Sequence, residues 1–137
     1  MQSQGAHDRD LAGSGAPSLL QSLGLPAPDT DGAVAAAGEI SVLRLPAPVP
    51  RFELLGPCDA IQAIWPSLTE FAFPGSADTW ALHDIRAGIP SVFDATADAF
   101  VPQMVNLQLI DGVSFHKGCY TGQEVVARMQ YLGKLKR

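Results

Sequence analysis

The sequence predicts an α+β fold, a small sheet covered on one side by helices. Residues 39–45 and 51–55 read as two strands about a proline-rich turn, and the segments from Pro57 and from Asp78 carry apolar residues at helical spacing. The 137 residues are 47% hydrophobic with 17% charged, a balance that supplies a buried core and excludes global disorder. One modest domain is the expectation at this length.

The elements follow in chain order. Residues 1–17 are rich in Ser, Gly, Gln and Ala and are expected to form a disordered N-terminal arm. Leu19, Leu20 and Leu23 ahead of Gly24 predict a short helical turn ended by glycine. Residues 26–38 read as a flexible Ala/Pro/Gly connection. Residues 39–45, with β-branched Ile40 and Val42, predict a strand, and three prolines in residues 46–50 demand a turn. Residues 51–55 return as the partner strand, with Phe52 and Leu54 on one face.

A helix is predicted from about Pro57, a residue suited to the first helical position. Ala60, Ile61, Ile64 and Trp65 form its buried stripe, Cys58 its first turn, and Pro66 its limit. A second helix is predicted over 78–87, capped by Ser76 or Asp78 and ended by Gly88. Ala81, Leu82 and Ile85 are its apolar side, and His83 is expected to be exposed. Residues 89–94 suggest a short edge strand, demoted from a sheet centre by Pro90. Residues 100–109, broken by Pro102, Gln103 and Asn106, should be irregular or short helical, and 113–115 briefly extended.

The most informative stretch is Lys117-Gly118-Cys119-Tyr120-Thr121-Gly122-Gln123-Glu124, continuing through Val125-Val126-Ala127-Arg128. One cysteine stands between two glycines, which permit unusual backbone conformations and close approach to a ligand. Val125, Val126 and Met129 then supply the apolar residues of a helix. Cys119 therefore falls just before a helix N-terminus, where free amide hydrogens and the helix dipole favour negative charge, and Lys117 adds a cation. Both favour thiolate over thiol and predict a reactive cysteine in an anion-friendly loop. Glu124 suits a first helical turn whatever its function, and Arg128 stands four residues on, where an intrahelical ion pair competes with ligand binding as its role. Cys58 reads as structural.

This string resembles the signature of the YgfZ family, folate-binding proteins associated with tRNA modification and iron–sulfur maintenance. Upstream blocks agree in order and spacing: Arg86-Ala87-Gly88-Ile89-Pro90, then Phe100-Val101-Pro102-Gln103-Met104 with Asn106-Leu107, then Gly112-Val113-Ser114-Phe115. The resemblance runs from Glu39 to Gly133 and thins back to Ser18. It implies the fold of the glycine-cleavage aminomethyltransferase, of which this chain would be the middle part, truncated before a C-terminal β-barrel. The implied organisation is an arm over 1–17, a partial folate-binding domain over 18–133, and the start of a missing barrel at 134–137.

By resemblance, Cys119 is the functional thiol with Lys117 beside it, and Gly118, Tyr120, Gly122, Gln123, Glu124 and Arg128 serve the folate site. The implied cofactor is tetrahydrofolate, at a site left incomplete here, with Arg128 suited to a carboxylate of the folate tail. The implied partners are iron–sulfur assembly factors or iron–sulfur client enzymes. A non-enzymatic accessory factor is the leading reading. The alternatives are a folate-dependent aminomethyltransferase, whose related segment lacks this cysteine, and an interaction module with an inert Cys119.

Composition narrows the classes further. Two cysteines without a C-x-x-C pair make no disulfide framework and close no four-ligand zinc or iron–sulfur site. No uninterrupted apolar run reaches membrane-spanning length, and Asp8, Arg9 and Asp10 stand where a signal peptide would be apolar, so the cytoplasm is expected. Net charge is −5, with residues 117–137 at +4 and residues 1–116 at −9. Lys134, Lys136 and Arg137 read as the solvated face of a strand. With no basic patch carrying interleaved aromatics, direct nucleic-acid binding is not expected.

Overall fold

A computed structural model describes residues 7–131 and residue 133. The chain forms two compact units, Met1–His83 and Asp84–Arg137, where the sequence suggested one domain over 18–133. The α+β class holds: one four-stranded antiparallel sheet and four α-helices are described.

The first unit is built on strands β1 (His7–Ala12), β2 (Val34–Ala37), β3 (Ile40–Leu45) and β4 (Arg51–Gly56) in the spatial order β1-β4-β3-β2. The central β3–β4 pair was legible from its alternation. Val42 stands opposite Leu54, and Leu11 opposite Phe52, so these apolar residues share one face. Val42, Phe52 and Leu54 are fully buried there with Leu20, each worth roughly 1.5–3 kcal/mol of transfer free energy. Helix α1 (Ala16–Ser22) contributes Leu20 and ends as predicted at Gly24, whose φ of +71° lets the Leu25 amide reach back to the Leu20 carbonyl.

Two segments expected to lack structure are strands. Residues 7–12 form β1 on the free edge of β4, so the disordered arm is corrected over 7–17; residues 1–6 lie outside the described residues. The polar composition of this segment hid one useful apolar residue, Leu11, which caps Phe52. Likewise 34–37 form β2, a small-residue edge strand turned onto β3 at Gly38, whose φ is +57°.

Helix α2 (Cys58–Phe71) starts as predicted but runs through Pro66. Proline removes its own donor and so one helical bond, while the rest of the ladder holds. The Thr69 hydroxyl turns to the Trp65 and Pro66 carbonyls (3.1 and 3.0 Å), and buried Leu68 anchors the far turn. Ile61 is buried with Ala60 and Ile64 against it, whereas Trp65 is 41% exposed, so Leu68 completes the stripe instead.

Helix α3 (Ala77–Ala87) is capped by Ser76 Oγ, which accepts from the Thr79 amide at 3.2 Å, and ends at Gly88 with φ +72°. Its inward side is not Ala81, Leu82 and Ile85, all of which are exposed. Trp80 and His83 are half-buried instead, their ring centroids 6.1 Å apart. Trp80 covers the guanidinium of Arg51, 4.1 Å from its ring, and Arg51 is only 1% exposed. An aromatic face over a buried cation outweighs a stripe of smaller apolar residues.

In the second unit, residues 89–93 form no strand: Pro90 lacks a donor and no neighbouring strand pairs with the segment among the described residues. Short 3-10 turns follow at Asp94–Thr96, Pro102–Val105 and Leu107–Ile110, in keeping with the irregular or short helical expectation for 100–109. Val113 and Phe115 are bends, and residues 113–115 form no strand. Helix α4 (Gln123–Tyr131) follows the cysteine motif as predicted. The cationic residues Lys134, Lys136 and Arg137, and the barrel start assigned to 134–137, lie outside the described residues. No described helix is long and apolar enough to cross a membrane.

Candidate functional site

The cysteine motif occupies a loop of the second unit whose two ends are held by hydrogen bonds. At its start, Ser114 Oγ accepts from the amides of His116 and Lys117 at 3.3 and 3.2 Å, a side-chain turn that redirects the chain. At its end, the Gln123 amide donates to the Tyr120 carbonyl at 3.1 Å, and the Val126 amide to the Gly122 carbonyl at 3.2 Å. Gly122, with φ +84°, is thus the residue on which α4 begins. The Phe115 and Tyr131 rings meet edge to face at 6.4 Å, tying the loop's entry to the end of α4.

Between these anchors Lys117, Gly118 and Cys119 are all exposed, and Tyr120 is half-buried. Cys119 is a free thiol, as is half-buried Cys58. The two differ in surroundings: Cys58 Sγ accepts from Gln62 Nε2 at 3.1 Å, while Cys119 Sγ has no hydrogen bond among the described residues. Lys117 Nζ stands 4.7 Å from the centre of the Tyr120 ring, so its charge is held one residue beyond the cysteine by a cation–π contact. Lys117 and Tyr120 are therefore brought together across Cys119.

The remaining predicted site residues are spread along α4. Gln123 is half-buried, while Glu124 and Arg128 are exposed in its first and last turns, and they form no ion pair with each other among the described residues. Val126 is buried and Met129 half-buried as the apolar side requires, but Val125 is 53% exposed. Gly118 has neither a positive φ nor any atom within 4 Å of where a Cβ would stand, so this conformation does not demand glycine there.

Gln103 was given no role from sequence, yet it is the polar side chain that holds this site. It is 2% exposed, and its Nε2 donates to the Val126 carbonyl at 2.6 Å, fastening the Pro102–Val105 turn to α4. Its Oε1 is buried without a partner among the described residues. The signal available beforehand was its place in an apolar run, Phe100 to Met104, where a lone amide must find partners. Gly112 is also fixed by packing: a Cβ there would lie 2.8 Å from Leu107 Cδ2.

The arrangement presents an exposed thiol on a loop anchored at both ends, open to an electrophile, a soft metal ion or another thiol. Among the described residues no group of three or more His, Cys, Asp or Glu is placed to hold a metal ion.

No family model matches the chain. Curated proteins do. The tRNA-modifying protein YgfZ of Colwellia psychrerythraea is 42% identical over 127 residues, covering 93% of this chain and 39% of that protein. Its namesake in Edwardsiella ictaluri is 38% identical over 135 residues, 98% of this chain and 41% of that protein. A third, from Serratia proteamaculans, is 40% identical over 110 residues, 80% of this chain and 33% of that protein. The chain thus spans about two-fifths of the length of the first two relatives. Identity at this level across nearly the whole chain, several times over, places it: the chain belongs to the YgfZ family.

Proposed function

We propose that this chain supplies the thiol loop of a tRNA-modification factor, and that the whole protein acts with a bound tetrahydrofolate to sustain iron–sulfur enzymes. The relatives' name, tRNA-modifying protein, supports the first part. The observation that carries the residue assignment is the exposure of Cys119 on a loop fixed by Ser114 at one end and Gly122 at the other. A cysteine kept for packing would be buried.

The residues present suit a folate. Gln103 Oε1 has no partner among the described residues, and the N–H groups of a reduced pterin are donors of the kind it lacks. Exposed Arg128 offers a planar guanidinium for a carboxylate of the folate tail. When bound, the tetrahydrofolate supplies a carrier for a one-carbon unit. The chain's own contribution is to hold Lys117 over Tyr120 and leave Cys119 open, with iron–sulfur assembly factors or client enzymes as the partners the thiol would meet.

The test is a Cys119→Ser change in a full-length relative that carries this motif. Serine preserves size but offers neither a thiolate nucleophile nor a soft ligand near neutral pH. The expected result is lost complementation of an iron–sulfur-dependent tRNA modification with an unchanged melting curve. An active, normally folded variant would return Cys119 to a structural role.

A further inference from the structure

The sheet of the first unit has two outer strands, and their edges differ. In the order β1-β4-β3-β2, strand β1 carries exposed Arg9 and Asp10, and charges on an edge strand keep it from pairing with another chain. Strand β2 reads Val34-Ala35-Ala36-Ala37, with no charge, no proline and no large side chain. We propose that the outer edge of β2 is a docking site for an extended basic segment of a partner protein, which adds to the sheet as a fifth strand. The edge involves no residue of the cysteine motif.

The phase of the β2–β3 ladder determines which groups the edge offers. Gly38, with φ +57°, and Glu39 form a two-residue hairpin that closes on Ala37 opposite Ile40, a hydrogen-bonded pair. At the far end the Arg44 amide donates to the Ala33 carbonyl at 3.0 Å. Bonded positions alternate between these two ends, so Ala33, Ala35 and Ala37 turn their peptide groups toward β3. Val34 and Ala36 turn theirs outward, where no described strand receives them. Two amide donors and two carbonyl acceptors thus stand in line at strand spacing, a pattern that an added strand completes.

Charge selects the occupant. Asp29, Asp31 and Glu39 are the only charged residues from 28 to 43, and all three are exposed, two ahead of β2 and one behind it. Arg44 offsets Asp31 at 3.3 Å, which leaves one carboxylate in excess at each end of the edge. A segment with lysine or arginine on either side of a β-branched stretch complements that arrangement. A second copy of this chain does not. Residues 1–83 hold nine acidic residues against three arginines, so two copies meeting at this edge repel each other.

The probe is the end-capped peptide Lys-Thr-Val-Thr-Val-Lys, titrated into the isotope-labelled 137-residue chain and followed by amide hydrogen exchange. Exchange at Val34 and Ala36 should slow by about fivefold or more near saturation, while Ala35 and Ala37, already bonded to β3, change little. The same peptide with glutamate in place of both lysines should bind roughly tenfold more weakly at low ionic strength, and the gap should close as salt is added. Ala36→Pro removes an outward donor but no ladder bond, so it should abolish binding and keep the melting temperature. Glu39→Lys, in the exposed hairpin, should weaken binding of the basic peptide about threefold, which tests the edge without placing a proline in it. Protection that misses Val34 and Ala36, equal binding of the two peptides at low salt, or undiminished binding to Ala36→Pro overturns the site. A concentration-dependent dimer of the chain alone, seen by sedimentation and lost in Ala36→Pro, overturns the peptide and assigns the edge to a second copy.

Discussion

Gln103 Nε2 donates to the Val126 carbonyl oxygen at 2.6 Å, a bond between residues 23 apart that joins the Pro102–Val105 turn to the first half of α4. Both side chains are buried, in a unit with no other buried side chain among the described residues. The second unit therefore rests on this contact more than a well-filled core would. Gln103→Ala should cost about 2–3 kcal/mol, a lost buried hydrogen bond plus a void. Gln103→Leu should cost about 1 kcal/mol, because it loses the same bond but leaves no void. Urea midpoints of the two variants check the order, and equal losses would mean that side-chain volume contributes nothing and the hydrogen bond carries the whole effect.

The two glycines flanking Cys119 should respond differently to alanine. Gly122 holds φ at +84°, which an alanine adopts only with strain, so Gly122→Ala should destabilise by roughly 1–2 kcal/mol and fray the start of α4. Gly118 sits in open space without a positive φ, so Gly118→Ala should change stability by no more than about 0.5 kcal/mol. Thermal melts together with helical ellipticity distinguish the pair. A Gly118→Ala variant that keeps its fold and loses complementation in a full-length relative would give Gly118 a role at the ligand rather than in the loop.

Sequence periodicity revealed those elements whose apolar residues face a single core. The β3–β4 pair showed itself through Val42, Phe52 and Leu54, and α4 through Val126. It failed where tertiary context decided. Residues 7–12 and 34–37 have little apolar content of their own and become strands because β4 and β3 offer them free edges. Trp80 turns inward because Arg51 lies beneath it, a partner 29 residues away that helical spacing cannot register. At the site, the exposed cysteine loop was legible from its glycines and the helix behind it. Gln103 was not, because a lone amide in an apolar run does not announce which carbonyl it will meet.

Pro66 stands exposed in the interior of α2, so its ring serves no core contact that alanine would forfeit. Pro66→Ala restores one amide donor to the ladder and relieves the clash with the preceding turn. Proline in a helix interior costs about 3 kcal/mol relative to alanine, and the existing helix has already relaxed part of that strain, so a gain of roughly 1–2 kcal/mol is expected. A chemical melt measures it. A loss of stability would mean that the bend at Pro66 is needed to seat Leu68 in the core.

Cys119 should alkylate faster than Cys58 in the native chain. Cys119 is exposed on its loop, with the Lys117 ammonium held over the neighbouring Tyr120 ring. Cys58 is half-buried at the start of α2, and its sulfur accepts a hydrogen bond from Gln62 at 3.1 Å. If freeing Cys58 requires a local opening of only about 1.4 kcal/mol, its labelling slows tenfold relative to an open thiol. Competitive labelling with iodoacetamide and peptide mapping reads both sites in one sample. The ratio should collapse toward one in denaturant, where the two thiols share the same surroundings. Gln62→Ala should raise the Cys58 rate alone, which separates the effect of that hydrogen bond from the exposure of Cys119. Equal native rates, or a faster Cys58, would remove the thiol from the centre of the proposed function.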